Sequence, residues 1–233
     1  LDLIIIFDSG SDDKSEGLKS IPSRQYYSRL TKAFITAISA PMTEGKLYEI
    51  DMRLRPSGFQ GPVATSWNSY QNYQKNEAWV WEHLALTRAR GVAGNKTLLG
   101  NFESFRGSFL KSYSRNNIFK ALNEMRSRIS QAKSLNPWDA KVGPGRLQDI
   151  DLLSQAGCLF ARSVSRSTSE GLKTLCNENV LTKNEFLEIK AAAEQLWSWQ
   201  IGLNILFKGQ VELKNKDISP VSYTHLRAHE TRT

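Results

Sequence analysis

A chain of 233 residues with 40% hydrophobic residues and six tryptophans is long and apolar enough to bury one or two cores, which excludes a disordered protein. No apolar run approaches the roughly 18 residues of a membrane span, and no export signal is visible, so a cytoplasmic protein with no membrane partner is expected. The net charge of +8 suits an anionic partner, nucleotide or nucleic acid, without choosing between them.

The chain opens without methionine, inside the apolar run Leu1–Asp8, so its start is expected to be cut within an element. That run, rich in β-branched residues, predicts a strand buried on both faces. Asp2 is the odd member, because a carboxylate in a buried strand is costly unless it is paired or holds a metal. Ser9–Ser23 reads as loop. Arg24–Ser39 then carries Tyr27, Leu30, Phe34, Ile35 and Ile38 at helical spacing, and Pro41 and Gly45 close that helix.

The stretch Leu47–Gly58 alternates. Tyr48, Ile50, Met52 and Leu54 fall on one side of a predicted strand, and Glu49, Asp51, Arg53 and Arg55 on the other. Pro56 and Gly58 stop it. Taken alone, such a polar face is either a solvated, salt-paired surface or a cation- and phosphate-binding surface. With Asp2 on a neighbouring strand, two carboxylates could meet on one sheet. In-line nucleotidyl transfer uses Mg²⁺ bridged by several carboxylates, with arginines to neutralise phosphate charge.

Helices are predicted over Ser66–Gln74 and Ala78–Arg90, the second ending at Gly91 and Gly94. His83 lacks a visible orienting partner and is expected to pack or hydrogen-bond rather than act as a base. Arg88 and Arg90 either reach phosphate or, as expected first, are last-turn cations that complement the helix dipole.

These segments together carry a resemblance. Leu1–Phe7, LYEIDMRLRPSG at 47–58, GPVATS at 61–66 and AWVWEHLALTRARGVAG at 78–94 resemble the glutamine synthetase adenylyltransferase family, bifunctional bacterial regulators with two nucleotidyltransferase halves. The first catalytic strand of that family reads Ser-Asp-Leu-Asp-Leu. The resemblance therefore implies that Asp2 is its second metal-binding aspartate and Asp51 its third carboxylate. The first aspartate and the Gly-Ser turn that cradles the nucleotide phosphates would precede residue 1. The form AWVWEH resembles the C-terminal, adenylylating half.

Beyond Asn101 the pattern becomes helix after helix. Ile118, Leu122, Met125, Ile129 and Ala132 make one stripe, and Leu147, Ile150, Ser154, Cys158 and Ala161 another, with Asn136-Pro137 and Val142–Gly145 between them. Cys158 and Cys176 make no disulfide framework, and Cys158 is expected to be a buried free thiol. Thr182–Glu185 is a capping box opening a long helix with Phe186, Ile189, Ala193, Leu196, Gln200, Leu203 and Phe207 on one stripe. Such stripes are bundle core. The family's helical domain commonly opens with Gly-Gly-Leu-Val-Asp-Ile-Glu-Phe, matched here by Gly145–Leu152 with Arg146 and Asp151 as departures. Asp149 and Asp151 are expected to cap or to form interdomain ion pairs. The tail 219–233, with His225 and His229, resembles translated sequencing adaptor and is expected to be non-native.

The expected fold is α+β: a nucleotidyltransferase-type mixed sheet with helices over 1–100, then a helical bundle over 101–218. The resemblance implies transfer of AMP from ATP to a tyrosine hydroxyl of glutamine synthetase, with Mg²⁺ as cofactor and the PII signalling protein as regulator. Asp2 and Asp51 are the expected catalytic metal ligands, and Arg53 and Arg55 the phosphate-facing or site-ordering groups. The 233-residue chain alone is expected to be inactive. Two rivals are a PII uridylyltransferase and a basic nucleic-acid-binding module. The carboxylates on the 49–55 face and the lack of aromatic–basic interleaving argue against the second, so no nucleic-acid partner is expected.

Overall fold

The computed structural model describes residues 1–10, 13–43, 45–46, 48–132 and 139–206. Asn136-Pro137, Phe207 and the tail with His225 and His229 lie outside the described residues. The chain divides into two compact units, Leu1–Ser108 and the residues from Phe109 onward. Small parallel strand pairing and eight helices among the described residues make the fold α+β.

In the first unit, strand β1 (Ile5–Phe7) leads to helix α1 (Ser23–Ser39), a short hairpin of β2 (Pro41–Met42) and β3 (Gly45–Lys46), and strand β4 (Ala64–Ser66). β1 pairs in parallel with β4, Ile5 beside Ala64 and Phe7 beside Ser66. Phe7 is buried and stacks on Tyr27 of α1, ring centroids 4.5 Å apart. β1 is thus shorter than the predicted strand, and Ile4, Ile5 and Ile6 are half-buried rather than enclosed on both faces. α1 forms where its periodicity indicates, yet only part of the stripe is covered. Tyr27, Ile35 and Ile38 are half-buried while Leu30 and Phe34 are exposed, because two short strands offer less surface than five apolar side chains span. Pro41 fixes the exit, since the residue before a proline is driven out of helical geometry and Ala40 is extended.

Helix α2 (Trp67–Asn76) starts at Ser66, whose Oγ accepts the Ser69 N–H at 3.4 Å. Helix α3 (Val80–Leu86) and helix α4 (Lys96–Lys111) follow. Trp67 and Tyr70 of α2 meet Phe102 and Phe105 of α4 with centroids 5.6–6.3 Å apart, giving this unit an aromatic core.

The second unit contains helices α5 (Ile118–Ala132), α6 (Leu147–Phe160), α7 (Thr168–Asn177) and α8 (Lys183–Leu206). Ile150, Leu172 and Ala193 form its centre, with Phe186, Ile189 and Leu196 packed against them. α6 and α7 touch through small residues: a Cβ on Gly157 would overlap the Gly171 carbonyl, and one on Gly171 would overlap Ser154. The capping box forms as the spacing predicts. Glu185 accepts the Thr182 N–H at 2.8 Å, and Thr182 Oγ1 accepts the Glu185 N–H at 3.2 Å. Asp149 accepts Arg126 Nε at 2.8 Å and the Gly145 N–H at 2.9 Å, while Asp151 accepts the Thr168 hydroxyl at 2.9 Å. Asp149 therefore serves an ion pair and Asp151 a helix–helix contact within this unit. Cys158 is buried as a free thiol.

Candidate active site

Asp2 and Asp51 are direct partners across a parallel backbone bridge. The Leu3 N–H donates to the Asp51 carbonyl at 2.9 Å and the Asp51 N–H to the Leu1 carbonyl at 2.7 Å. Paired residues in a parallel register carry their side chains on the same side, with backbones about 4.8 Å apart. The two carboxylates are thus neighbours on one face. They are hard oxygen donors, the kind that Mg²⁺ takes. Among the described residues no group of three or more His, Cys, Asp or Glu side chains stands together as a metal site.

The predicted strand over 47–58 is not continuous. Residues 48–52 form a bridge only at Asp51, to Asp2 ahead of β1, and the chain then turns from Arg53 onward into a single 3₁₀ turn, Gly58–Gln60. Leu47 lies outside the described residues. The alternation fails for a physical reason. Arg55, placed by period on the polar face, is only 7% exposed and its guanidinium points into the turn. It donates to the carbonyls of Met52 at 3.0 Å, Gly61 at 3.2 Å and Phe59 at 3.3 Å, and lies over the Phe59 ring. Gly61 permits this closure because a Cβ there would overlap the Pro56 carbonyl.

Arg53 remains at the surface and turns back on Asp51. Its main-chain N–H donates to Asp51 Oδ1 at 2.9 Å and its Nε to Oδ2 at 2.6 Å. The guanidinium beside Asp51 holds that carboxyl below the usual aspartate range. Asp51 is therefore ionised and oriented, next to Asp2.

Behind the turn, Glu82 and His83 of α3 are buried. His83 Nε2 is 2.9 Å from the Gln74 carbonyl, the hydrogen-bonding role expected for it, and burial pushes its pKa down. α3 ends at Leu86, before the predicted Arg88 and Arg90. The cation at its C-terminus is instead Arg106 of α4, 2% exposed, whose guanidinium donates to the Leu86 carbonyl at 3.0 Å and to the Thr87 carbonyl.

Residues 1–105 match the family model of glutamate-ammonia ligase adenylyltransferase. This segment belongs to that family. Relatives named bifunctional glutamine synthetase adenylyltransferase/adenylyl-removing enzyme extend the likeness. The Rhizobium meliloti protein is 43% identical over 69% of this chain and 17% of its own length. The Bartonella quintana protein is 36% identical over 82% of the chain and 20% of its own, and the Agrobacterium fabrum protein 39% identical over 75% and 19%. The chain spans about a fifth of the length of these curated relatives. No described helix is long and apolar enough to cross a membrane.

Three features of this adenylyltransferase-family segment escaped sequence reasoning. Arg55 as the staple of the turn, Arg106 as the cap of α3, and Tyr73 as a partner of Glu82 each depend on contacts between elements. The Glu three residues after Trp79 was the one readable signal, since an acid at that helix position reaches back to the first N–H groups.

Proposed function

We propose that this chain is part of a glutamine synthetase adenylyltransferase, in which the first unit belongs to a nucleotidyltransferase-type catalytic domain and the second to the helical domain that follows it. The reaction is transfer of AMP from ATP to a tyrosine hydroxyl of glutamine synthetase, and AWVWEH assigns the segment to the adenylylating half. The PII signalling protein regulates the whole protein, and its setting is the cytoplasm.

The single observation that carries the site assignment is the side-by-side pairing of Asp2 and Asp51. Both would hold Mg²⁺, which when bound withdraws charge from phosphoryl oxygens and orients them for in-line attack. The chain's own groups do the rest. Arg53 keeps the Asp51 carboxylate ionised and aimed, and its exposed guanidinium offers the nucleotide phosphates a positive charge. Arg55 orders the site from within the turn rather than facing phosphate, since its donors are engaged by three carbonyls.

The test uses the full-length protein with glutamine synthetase, Mg²⁺ and α-labelled ATP. Label is expected on the synthetase, and Asp51→Asn is expected to lower the rate by about a hundredfold or more, the several kcal/mol a metal-borne stabilisation supplies. Label that survives Asp51→Asn would displace Asp51 from the site. No label from folded wild-type protein would overturn the reading.

A further inference from the structure

Asp2 and Asp51 stand side by side, yet their carboxylates are not in the same condition. Asp2 is exposed, and its side chain makes no hydrogen bond or ion pair among the described residues. Asp51 has both oxygens engaged by a single residue. The Arg53 main-chain N–H donates to Oδ1 at 2.9 Å, and the Arg53 guanidinium holds Oδ2 through Nε at 2.6 Å and through a second nitrogen. One of the two candidate metal ligands thus already carries a cation.

The two arginines of the turn differ in their freedom to leave. Arg55 is buried and fixed by three carbonyls. The Arg53 side chain is 67% exposed and that of Asp51 29%. An ion pair so open to water is weakly held. Its departure would leave the carboxylate aimed, because the bond to Oδ1 comes from the main chain. With two guanidinium nitrogens against it, Oδ2 is closed to Mg²⁺, whose contact to oxygen is about 2.1 Å. Two cations on one oxygen would also repel each other.

We infer that Arg53 competes with a divalent cation for Asp51 Oδ2, so that the metal takes this oxygen only as the guanidinium leaves it. The released guanidinium then needs another anion, and the phosphates of a nucleoside triphosphate have the geometry it pairs with. A cation that arrives with a triphosphate is therefore favoured over the free ion. This competition rests on the metal role proposed for Asp2 and Asp51 and adds to it an exchange of one cation for another.

The experiment uses the full 233-residue chain with Mn²⁺ or Mg²⁺ alone. Mn²⁺ affinity is read from the electron-spin resonance of the free ion for wild type, Arg53→Gln, and Arg53→Gln combined with Asp51→Asn. Arg53→Gln is expected to bind about tenfold more tightly than wild type, and the added Asp51→Asn to abolish that gain. In isotope-labelled wild type, the Arg53 Nε–H resonance is assigned by its loss in Arg53→Gln and followed as Mg²⁺ is added. Its exchange with water should speed by about fivefold or more as the site fills, because the bond to Oδ2 is given up. Arg53→Gln that binds no better than wild type overturns the inference. So does tighter binding by Arg53→Gln when the wild-type Nε–H does not respond to Mg²⁺, which would mark repulsion at a distance instead of competition. Both of those results leave the metal role of Asp51 standing. Tight binding that survives the added Asp51→Asn defeats that role, and the inference with it.

Discussion

His83 shows how much one buried side chain can report. Its ring Nε2–H donates to the Gln74 carbonyl, and burial lowers its pKa from the ordinary 6.5. The unfolded chain takes up a proton near pH 6.5 while the folded imidazole stays neutral. Stability of the first unit should therefore fall as pH drops below that value, and level off once the folded group is protonated too. One proton sets the limit at about 1.4 kcal/mol per pH unit. His83→Gln is expected to flatten this slope in urea titrations; an unchanged slope would assign it to other groups. Asp51 behaves in the opposite sense to a buried acid. Its carboxyl is held low by Arg53, so the pair is present above the ordinary aspartate range and is lost as pH falls through the lowered value. Asp2 and Asp51 were legible as candidates because a carboxylate on an apolar strand and an acid amid alternating residues are both anomalies. The inward turn of Arg55 was not legible, since it follows from carbonyls that converge only once Gly61 meets Pro56.

Among the elements, those set by local chemistry agree with the sequence and those set by neighbours do not. α8 opens at its capping box, and α2 at Ser66, because cap and first turn lie within four residues of each other. The stretch 47–58 has strand alternation, yet it turns at Arg53, because Pro56, Gly58 and Gly61 favour a turn that Arg55 then closes. α3 stops at Leu86 where Arg106 satisfies its last carbonyls, an event encoded in α4 and not in α3. The α6–α7 contact was hidden for the same reason: Gly157 and Gly171 look like ordinary helix weaknesses until the two helices are side by side. Ser154 Oγ also donates to the Thr168 carbonyl at 2.9 Å in this contact. Gly171→Ala must push α7 away from Ser154, and a loss of about 3 kcal/mol in the stability of the helical unit is expected. A shifted urea midpoint with unchanged slope would show it, and a wild-type midpoint would mean that α7 moves freely.

The whole molecule has two units, each with its own core, and its match spans about a fifth of the length of its relatives. The aromatic core between α2 and α4 lies in the unit that bears the two carboxylates; the Ile150–Leu172–Ala193 centre holds the helical unit. With two hard donors on the described residues, the 233-residue chain should bind Mn²⁺ at this face with a Kd of about millimolar or weaker. A titration followed by the electron-spin resonance of free Mn²⁺ measures it, and micromolar binding lost in Asp51→Asn would mean that further ligands converge there.

The bridge between Asp2 and Asp51 also has a temporal meaning. It joins backbone segments from the two ends of a long loop: Leu1 and Glu49, in hydrogen-bond contact beside it, are 48 positions apart. Closing such a loop carries an entropy that no local contact offsets, so the pairing forms after α1 and the β2–β3 hairpin, whose contacts are near in sequence. During synthesis the earlier aspartate emerges long before its partner and waits without it. A cation held by both carboxylates would therefore be bound only once this loop has closed.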